Sequence, residues 1–402
     1  MNEPASGARH HPVVRLKPGA QRRVRGGHPW IYSNEIAGDA ATKALPPGTV
    51  VTVAADDGQL LGTFFYNPHP LIAARLLDRA GDTPIDASFL AGRIRTATGL
   101  RERLFDEPYY RLVHAEADGL PGTVIDRFGD VLVVQVNTAG IERLTPQLLE
   151  ALHETVAPAS VLLRNDSAAR ALEGLAEDVR MARGTIDGPI ELRENGVSYL
   201  ADPRAGQKTG WFYDQRDNRA LVARLASGAR MLDAYCYIGG FALAAAAAGA
   251  RSVVALDRSE PALELAAQSA ARNGFADRVE FRRGDAFKSL EAMLAANEKF
   301  DIVVADPPAF VKSKKELHQG ARGYRKLARL AASLVAPGGF LFIGSCSHNM
   351  PADLFGEQVR RGIGEADRSG RILARTGAAA DHPLHPALPE SAYLKAELIA
   401  LD

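Results

Sequence analysis

The sequence is poor in cysteine and has no apolar run long enough to span a bilayer. Cys236 and Cys346 are the two cysteines among 402 residues, which excludes a framework of disulfide bonds. The apolar stretch at residues 241–248 is far too short to cross a membrane, and no long apolar run follows a basic N-terminus as in a signal peptide. We therefore expect a cytoplasmic protein without a membrane partner.

Net charge is also absent, since 48 Lys and Arg residues balance 48 Asp and Glu residues. A neutral chain argues against an affinity that comes mainly from neutralising phosphates. Basic residues are nevertheless concentrated in two patches, which indicates a structured polyanion, although solvated surface is the alternative for either patch. The first patch comprises Arg9, Arg15, Lys17, Arg22, Arg23 and Arg25, and the second comprises Lys312, Lys314, Lys315, Arg322, Arg325, Lys326 and Arg329.

The sequence pattern predicts three folded modules after a disordered tail at residues 1–12. Residues 13–79 contain short β-type runs separated by Pro and Gly turns, which indicate a small β-rich module. Residues 80–187 mix strand-like and helical stretches and predict an α+β module. In residues 188–402 a hairpin is followed by alternating strands and helices. This alternation predicts an α/β, doubly wound, Rossmann-like sheet.

The dinucleotide pattern G-x-G-x-x-G is absent after the first strand of this sheet. The strand instead ends at Asp233, whose charge suits a ligand with an ammonium group, such as S-adenosylmethionine. Asp257 and Asp285 end the next two strands and are candidates for the ribose hydroxyls and the adenine amino group, with helix capping as the alternative for Asp285. We expect no metal. The predicted cofactor-binding residues are Gln215, Arg216, Asp233, Tyr235, Tyr237, Gly239, Gly240, Asp257, Asp285 and Ala286.

Cys346 and Asp306 are the predicted catalytic residues. Each follows an apolar, strand-like run, and the carboxyl ends of parallel strands meet at one edge of an open α/β sheet. The alternative for Cys346 is a small buried hydrophobe, but Ser345 and Ser347 flank it and predict an exposed, polar setting that favours a reactive thiol. Cys236 is expected to pack within its turn.

These residue types suit methylation of cytosine at carbon five. That carbon is a poor nucleophile, so a thiolate must first add to carbon six, and Cys346 is the candidate. Asp306, followed by Pro307 and Pro308, can hold the Watson–Crick edge of the base and, when protonated, supply a proton to ring nitrogen three. The base must be unstacked to enter the site, and single-stranded loops of RNA give that access at the lowest cost.

Several motifs extend this interpretation, because together they resemble the RlmI-type class I S-adenosylmethionine-dependent methyltransferases. That family makes 5-methylcytosine in large-subunit ribosomal RNA, and the resemblance runs over the full length. It implies an N-terminal PUA-like RNA-binding domain, a cofactor role for Asp233, Gly239, Asp257 and Asp285, and base-binding and nucleophile roles for Asp306 and Cys346. The motifs are His28-Pro29-Trp30-Ile31, Ala115-Glu116-Ala117-Asp118-Gly119-Leu120-Pro121-Gly122, Gly206-Gln207-Lys208-Thr209-Gly210, Asp214-Gln215-Arg216, Asp306-Pro307-Pro308-Ala309-Phe310, Ser345-Cys346-Ser347 and Asp381-His382-Pro383.

The sequence departs from related RNA cytosine methyltransferases at two positions. Ala309 stands where many of them carry a second cysteine that helps to release the product, and Ile238 replaces a hydroxyl residue before the paired glycines. His348 is a candidate for removing the proton from carbon five. Large-subunit ribosomal RNA is the implied partner, and self-association as a homodimer is left open.

Three other functions fit parts of the sequence. A methyltransferase acting on an exocyclic amine of adenine or guanine would use Asp306-Pro307-Pro308 without covalent catalysis, and Cys346 would then be dispensable. A non-catalytic RNA-binding or ribosome-assembly protein would not need acids at every strand end. A hydride-transferring oxidoreductase is disfavoured by the missing glycine pattern.

Overall fold

A computed structural model describes residues 10–402, which divide into two compact units. The first unit ends at Asp187 and also includes Pro383–Pro389, and the second comprises Gly188–His382 and Glu390–Asp402. Residues 1–9 of the predicted tail lie outside the described residues. The backbone amides of His10 and His11 each donate a hydrogen bond of 2.9 Å to the Asp82 carboxylate, so this part of the predicted tail is attached to the first unit.

The first unit begins with a five-stranded sheet in the order β1-β3-β4-β5-β2. β3, β4 and β5 pair antiparallel, whereas β1 runs parallel to β3. The apolar side chains of these strands form a small core of their own. The elements are β1 (Val13–Arg15), α1 (Gln21–Arg25), β2 (Trp30–Tyr32), α2 (Ala40–Lys43), β3 (Thr49–Ala54), β4 (Leu60–Tyr66) and β5 (Ile72–Asp78).

A second five-stranded sheet completes the first unit, in the order β10-β9-β8-β7-β6. Phe65 and Leu77 of the first sheet pack into the core of this second sheet. A Cβ on Gly140 would lie within 2.1 Å of the Phe65 ring, so the two modules share tightly packed apolar side chains. The elements are α3 (Ala87–Glu102), β6 (Tyr109–His114), β7 (Thr123–Phe128), β8 (Val131–Val136), α4 (Ala139–Arg143), α5 (Thr145–Val156), β9 (Ser160–Asn165), α6 (Ala169–Leu172) and β10 (Asp178–Arg183).

The second unit contains a hairpin and a seven-stranded sheet in the order β15-β14-β13-β16-β17-β19-β18. Strands β13 to β17 are parallel, and β19 lies antiparallel between β17 and β18. The elements are β11 (Ile190–Glu194), β12 (Val197–Ala201), α7 (Arg216–Ala223), β13 (Arg230–Ala234), α8 (Gly240–Ala247), β14 (Ser252–Asp257), α9 (Glu260–Arg272), β15 (Val279–Arg283), α10 (Ala286–Ala295), β16 (Phe300–Ala305), α11 (Leu317–Leu334), β17 (Val335–Ser345), α12 (Ala352–Glu365), β18 (Gly370–Thr376) and β19 (Lys395–Leu401).

The parallel strands β13, β14 and β16 are buried on both faces, as expected when helices cover both sides. Their carboxyl ends therefore carry the first residues that can reach a ligand, and the strand order reverses between β13 and β16. The crevice at that reversal is where the sequence places Asp233 and Asp306. Within residues 10–402, no helix has the length and apolar character needed to cross a membrane.

Candidate active site

Asp233 ends β13 and is fully buried. Its Oδ2 accepts a hydrogen bond of 2.9 Å from the backbone amide of Ala242, at the start of α8. Oδ1 is also buried, and it has no hydrogen-bond partner among residues 10–402. Burial raises the pKa of Asp233 well above its usual value, and the charges of Asp306 and Asp257 act in the same direction. An unpartnered carboxylate oxygen in such a place is suited to a cationic ligand.

Asp257 is the last residue of β14, and Asp285 lies directly before α10. Asp257 accepts a hydrogen bond of 2.9 Å from the Tyr237 amide and one of 2.8 Å from the Ser259 amide, one on each carboxylate oxygen. Because each oxygen can accept a second hydrogen bond, capacity for ribose hydroxyls remains. Asp285 is exposed and caps α10 through a bond of 3.1 Å from the Lys288 amide, and Ala286 is buried in the core.

The turn between β13 and α8 has an unusual backbone. Tyr235, Tyr237 and Gly239 have positive φ angles of 67°, 51° and 80°, which is costly for tyrosine and marks a constrained functional turn. Gly240 is required for packing, since a Cβ there would lie 3.1 Å from the Arg219 side chain. Tyr235 packs against the core of the sheet, and burial raises the pKa of its hydroxyl.

The polar, aromatic segment before β13 folds onto this turn. The Tyr237 hydroxyl donates to the Gly210 carbonyl at 3.3 Å and accepts from the Gln207 amide at 2.9 Å. The Tyr237 and Phe212 rings meet edge to face at 5.4 Å. These contacts bring residues 207–216 to the carboxyl edge of the sheet, next to the predicted cofactor site.

Gln215 and Arg216, both predicted to bind the cofactor, contact other side chains of the protein. Gln215 Nε2 donates a hydrogen bond of 2.8 Å to Asp306 Oδ2, and its own carbonyl accepts one of 2.6 Å from Asn218. Arg216 is buried, with its guanidinium 3.8 Å from the Glu194 carboxylate and over the Tyr213 ring. Gln215 therefore orients the predicted base-binding carboxylate, whereas Arg216 belongs to a buried ion-pair cluster with Glu194.

Asp306 follows β16 at the carboxyl edge of the sheet. Burial raises its pKa to about 6, and the negative charge of Asp214 adds to this effect, whereas the charge of Lys208 and the hydrogen bond from Gln215 oppose it. A Cβ on Gly344 would lie 2.8 Å from Asp306 Oδ1. The absence of a side chain at Gly344, in the adjacent strand β17, thus leaves room for this carboxylate.

Cys346 directly follows β17 and lies beside Asp306. Its Sγ is 3.9 Å from the Pro307 carbonyl oxygen. Burial raises the pKa of the thiol to about 11, and the charge of Asp306 contributes in the same direction. The predicted exposed, polar setting is wrong in part, because the thiol is half-buried and Ser345 and Ser347 are fully buried. The resting sulfur is a thiol near neutral pH.

Tyr324 on α11 holds the segment around Cys346, and the sequence reasoning missed it. Its buried hydroxyl accepts a hydrogen bond of 2.8 Å from Ser345 Oγ and lies 2.7 Å from Ser347 Oγ. Ser347 Oγ in turn accepts from the Val311 amide at 3.1 Å. The Tyr324 hydroxyl therefore connects Ser345 to Ser347, and Ser347 in turn bonds directly to the loop after Asp306.

Further charged residues near the site were also missed. Lys208 Nζ donates a hydrogen bond of 2.8 Å to the buried Asp214 carboxylate, which also accepts a hydrogen bond from the Tyr393 hydroxyl. Burial works to raise the pKa of Asp214, but the charges of Lys208 and His382 outweigh it and lower the pKa. The motif Gly206-Gln207-Lys208-Thr209-Gly210 contained a signal for Lys208. Lys395 of β19 contacts the turn after Cys346, and no local sequence pattern indicates this contact.

His348, the candidate for proton removal, is exposed two residues after Cys346. In the described part of the chain, no group of three or more His, Cys, Asp or Glu side chains is arranged to hold a metal ion.

Two family models match the chain. A PUA-like domain model matches residues 14–79. A model described as S-adenosylmethionine-dependent methyltransferase matches residues 165–397, more than half of the chain.

Two curated relatives are similar over nearly the whole length. A protein of Shewanella denitrificans named ribosomal RNA large subunit methyltransferase I is 39% identical over 387 residues, which cover 95% of this chain and 97% of the relative. A protein of the same name from Alteromonas mediterranea is 37% identical over 386 residues, with the same coverage.

Two solved structures have a similar fold. One is described as a SAM-dependent methyltransferase from Streptococcus mutans and superimposes with a TM-score of 0.80. The other is described as a methyltransferase complexed with SAH and has a TM-score of 0.82. Each is 19% identical and covers 97% of this chain and 100% of the solved chain, so these two likenesses concern the fold.

Proposed function

Because the chain belongs to the S-adenosylmethionine-dependent methyltransferases and is related over its length to ribosomal RNA large subunit methyltransferase I, we propose that it methylates large-subunit ribosomal RNA at carbon five of a cytosine. The reaction proceeds through a covalent adduct between Cys346 and carbon six of the base. The observation that supports this chemistry is the position of Cys346 Sγ, 3.9 Å from the carbonyl of Pro307 and so beside Asp306.

The residues at the first three strand ends fit the cofactor. The buried, unpartnered Oδ1 of Asp233 would accept hydrogen bonds from the methionine ammonium group. Asp257 would bind the ribose hydroxyls, and the exposed carboxylate of Asp285 would face the adenine amino group. When bound, S-adenosylmethionine supplies a methyl group on a positively charged sulfur.

Cys346 acts as the nucleophile. Its sulfur loses a proton and bonds to carbon six, which makes carbon five of the ring electron-rich enough to accept a methyl group. Carbon five then loses its proton, and the sulfur leaves carbon six, so that the net change is one methyl group gained and one proton released. A thiol with a pKa of about 11 must be ionised within the assembled site, and cations around the sulfur favour that step.

Asp306 holds the Watson–Crick edge of the cytosine. Gln215 already donates to Oδ2, and we assign Oδ1, which lies against Gly344, to the base. A pKa of about 6 means that a substantial fraction of Asp306 is protonated in mildly acidic to neutral solution. The protonated carboxyl can donate to ring nitrogen three as negative charge develops there, which is the moment when such a donor lowers the barrier most.

The second basic patch favours an RNA substrate at this edge. Lys312, Lys314 and Lys315 are exposed in the loop that follows Asp306. The capping interaction of Ser313 with Glu316 fixes the backbone of this loop. Exposed lysines beside the opening would contact phosphates around an unstacked base.

The function is tested by methyl transfer from labelled S-adenosylmethionine to large-subunit RNA that lacks the modification, with the product nucleoside identified by mass spectrometry. We expect 5-methylcytosine from the wild type and none from Cys346→Ala or Cys346→Ser. Asp306→Asn is expected to lower the rate at least about a hundred-fold.

Other products would contradict parts of the proposal. A methylated purine formed at an undiminished rate by Cys346→Ala would indicate an exocyclic-amine methyltransferase that uses Asp306 alone. Cofactor binding without transfer to naked RNA, and also without transfer to ribosomal particles, would favour a binding or assembly role.

A further inference from the structure

A lysine about fifty residues later in the sequence holds the turn that follows Cys346 through hydrogen bonds. In the antiparallel pair of β17 and β19, Lys395 lies opposite Ser345, the residue before Cys346. Lys395 Nζ donates hydrogen bonds of 2.7 Å to the Ser347 carbonyl and 2.6 Å to the Met350 carbonyl. The lysine therefore fixes both ends of the turn that begins at the nucleophile.

Two carbonyl oxygens provide no negative charge for this ammonium group. The nearest carboxylate on the same strand, Glu397, is paired with Arg375 at 3.0 Å. Burial lowers the pKa of Lys395, and the charge that Cys346 acquires on ionisation raises it again. Cys346 is thus the ionisable group whose negative charge would stabilise the lysine.

Water keeps this lysine in its charged form. Lys395 lines an open cavity of about 780 Å³ between α12 and the strands β18 and β19, so its side chain is only half-buried. Partial hydration limits the cost of keeping an ammonium group beside the core.

The charged groups around Cys346 come from several elements. Asp306 after β16 and Asp214 in the segment before α7 raise the pKa of the thiol, and Lys208 lowers it. Asp214 is already neutralised by its contact with Lys208. A second cation on β19 would balance the carboxylate of Asp306.

We propose that Lys395 is a positioning residue for Cys346: it fixes the turn from Ser347 to Met350, and its ammonium group stabilises the thiolate that attacks the base. Its catalytic consequence rests on the proposed function, whereas its effect on the thiol does not. In the step itself the S–H bond breaks, the proton passes to solvent, and the sulfur electron pair forms the bond to carbon six. Lys395 keeps all three protons throughout.

The test is the rate at which iodoacetamide alkylates Cys346 in the full-length protein without RNA or cofactor, followed between pH 7 and pH 10 by peptide mass spectrometry. Because the rate follows the thiolate fraction, Lys395→Met and Lys395→Gln should slow alkylation about three- to ten-fold at each pH. Lys395→Arg, which keeps the charge, should retain most of the rate. An unchanged rate in the Met and Gln variants would overturn the proposal.

The protein carries its own control for folding. Cys236 is a buried thiol whose alkylation should stay negligible in every intact variant. If Lys395→Met makes Cys236 reactive, the comparison rests on Lys395→Gln, whose amide keeps a donor for the same carbonyls. Lys299→Met removes a lysine that donates to the Ser333 carbonyl and should leave the alkylation rate of Cys346 unchanged.

The alkylation result is independent of the reaction product. Slower alkylation in the Lys395 variants together with a methylated purine would support the proposed effect of Lys395 on the thiol and contradict the cytosine mechanism. Normal alkylation in these variants together with 5-methylcytosine would support the cytosine mechanism and contradict the proposed effect of Lys395.

Discussion

Asp306 and Cys346 share a partly dry environment that favours their uncharged forms. Burial is the largest cause of both raised pKa values, and the charge of Asp306 also opposes ionisation of the thiol. Near neutral pH the thiol is protonated, as it is in water, and a larger fraction of Asp306 is protonated than of an ordinary aspartate. Such tuning is typical of catalytic pairs and destabilises the resting protein.

Replacing Asp306 by asparagine should stabilise the folded protein at alkaline pH. A carboxyl with a raised pKa does not destabilise the fold below about pH 4, where it is protonated in both states, and destabilises it fully above its folded pKa of about 6. Asp306→Asn should therefore increase the free energy of unfolding by about 1–2 kcal/mol at pH 8, allowing for partial exposure, and by almost nothing at pH 4. Urea unfolding at both pH values measures this, and equal effects at both would contradict it.

Asp233 should release its proton when the cofactor binds. Burial raises the pKa of Asp233 well above its usual value and so favours the protonated carboxyl. An ammonium group next to Oδ1 would instead favour the ionised carboxylate. Calorimetry at pH 7 in buffers of different ionisation enthalpy should show release of up to about one proton. Asp233→Asn should abolish the release and weaken binding, whereas Asp285→Asn should weaken binding without changing the proton count.

At the scale of elements, the Cys346 turn is positioned by the helix before β17 and by the strand that returns beside it. Helix α11 supplies Tyr324, and β19 supplies Lys395. The two elements hold opposite sides of the same turn through hydrogen bonds to Ser345, Ser347 and Met350. Cys346, the proposed nucleophile, is thus positioned by regular elements, although it lies in a loop.

Tyr324→Phe should loosen this turn. The substitution leaves Ser345 Oγ and Ser347 Oγ without their shared buried partner, which should cost about 1–3 kcal/mol of stability and lower the rate of methyl transfer. Tyr199→Phe is a matched control, because its buried hydroxyl has one hydrogen bond, of 3.2 Å to the Gly240 carbonyl. Chemical denaturation should show the smaller loss for Tyr199→Phe, and equal losses would contradict this account of Tyr324.

The sequence predicted the elements that carry most of the site. Parallel strands such as β13 and β16 are mostly apolar runs between turn residues, so their bounds and the acids at their carboxyl ends could be read directly. The predicted fold class and cofactor are confirmed. Strand β18 escaped prediction because it is an exposed edge strand without alternation. Lys395 escaped because its role depends on β19 lying next to β17, a pairing that no local pattern encodes.

At the scale of the whole molecule, zero net charge makes local basic patches decisive for binding RNA. In the second patch, Arg325 and Lys326 are paired with Glu365 and Glu291, whereas Lys312, Lys314 and Lys315 are exposed beside the site. In the first patch, Arg23 and Arg25 are paired with Glu35 and Asp57. Part of each patch is therefore structural.

Removing the three exposed lysines should change the salt dependence of RNA binding. The triple variant Lys312→Gln, Lys314→Gln, Lys315→Gln should reduce the slope of log K against log salt by about two, since each contact to a single strand contributes about 0.7. Lys326→Gln should leave the slope unchanged. Filter binding over a range of salt concentrations measures this, and a triple variant with the wild-type slope would remove this loop from the RNA interface.

The order of synthesis gives β19 a further consequence. Strand β18 is made before β19 but pairs with β19 and not with β17, so on a translating ribosome the sheet stays open beside β17 until the residues up to Leu401 have emerged. Until then Cys346 lacks the strand that carries Lys395. A nascent chain therefore lacks Lys395 beside its Cys346 until β19 has been made, and products truncated before residue 395 lack it altogether.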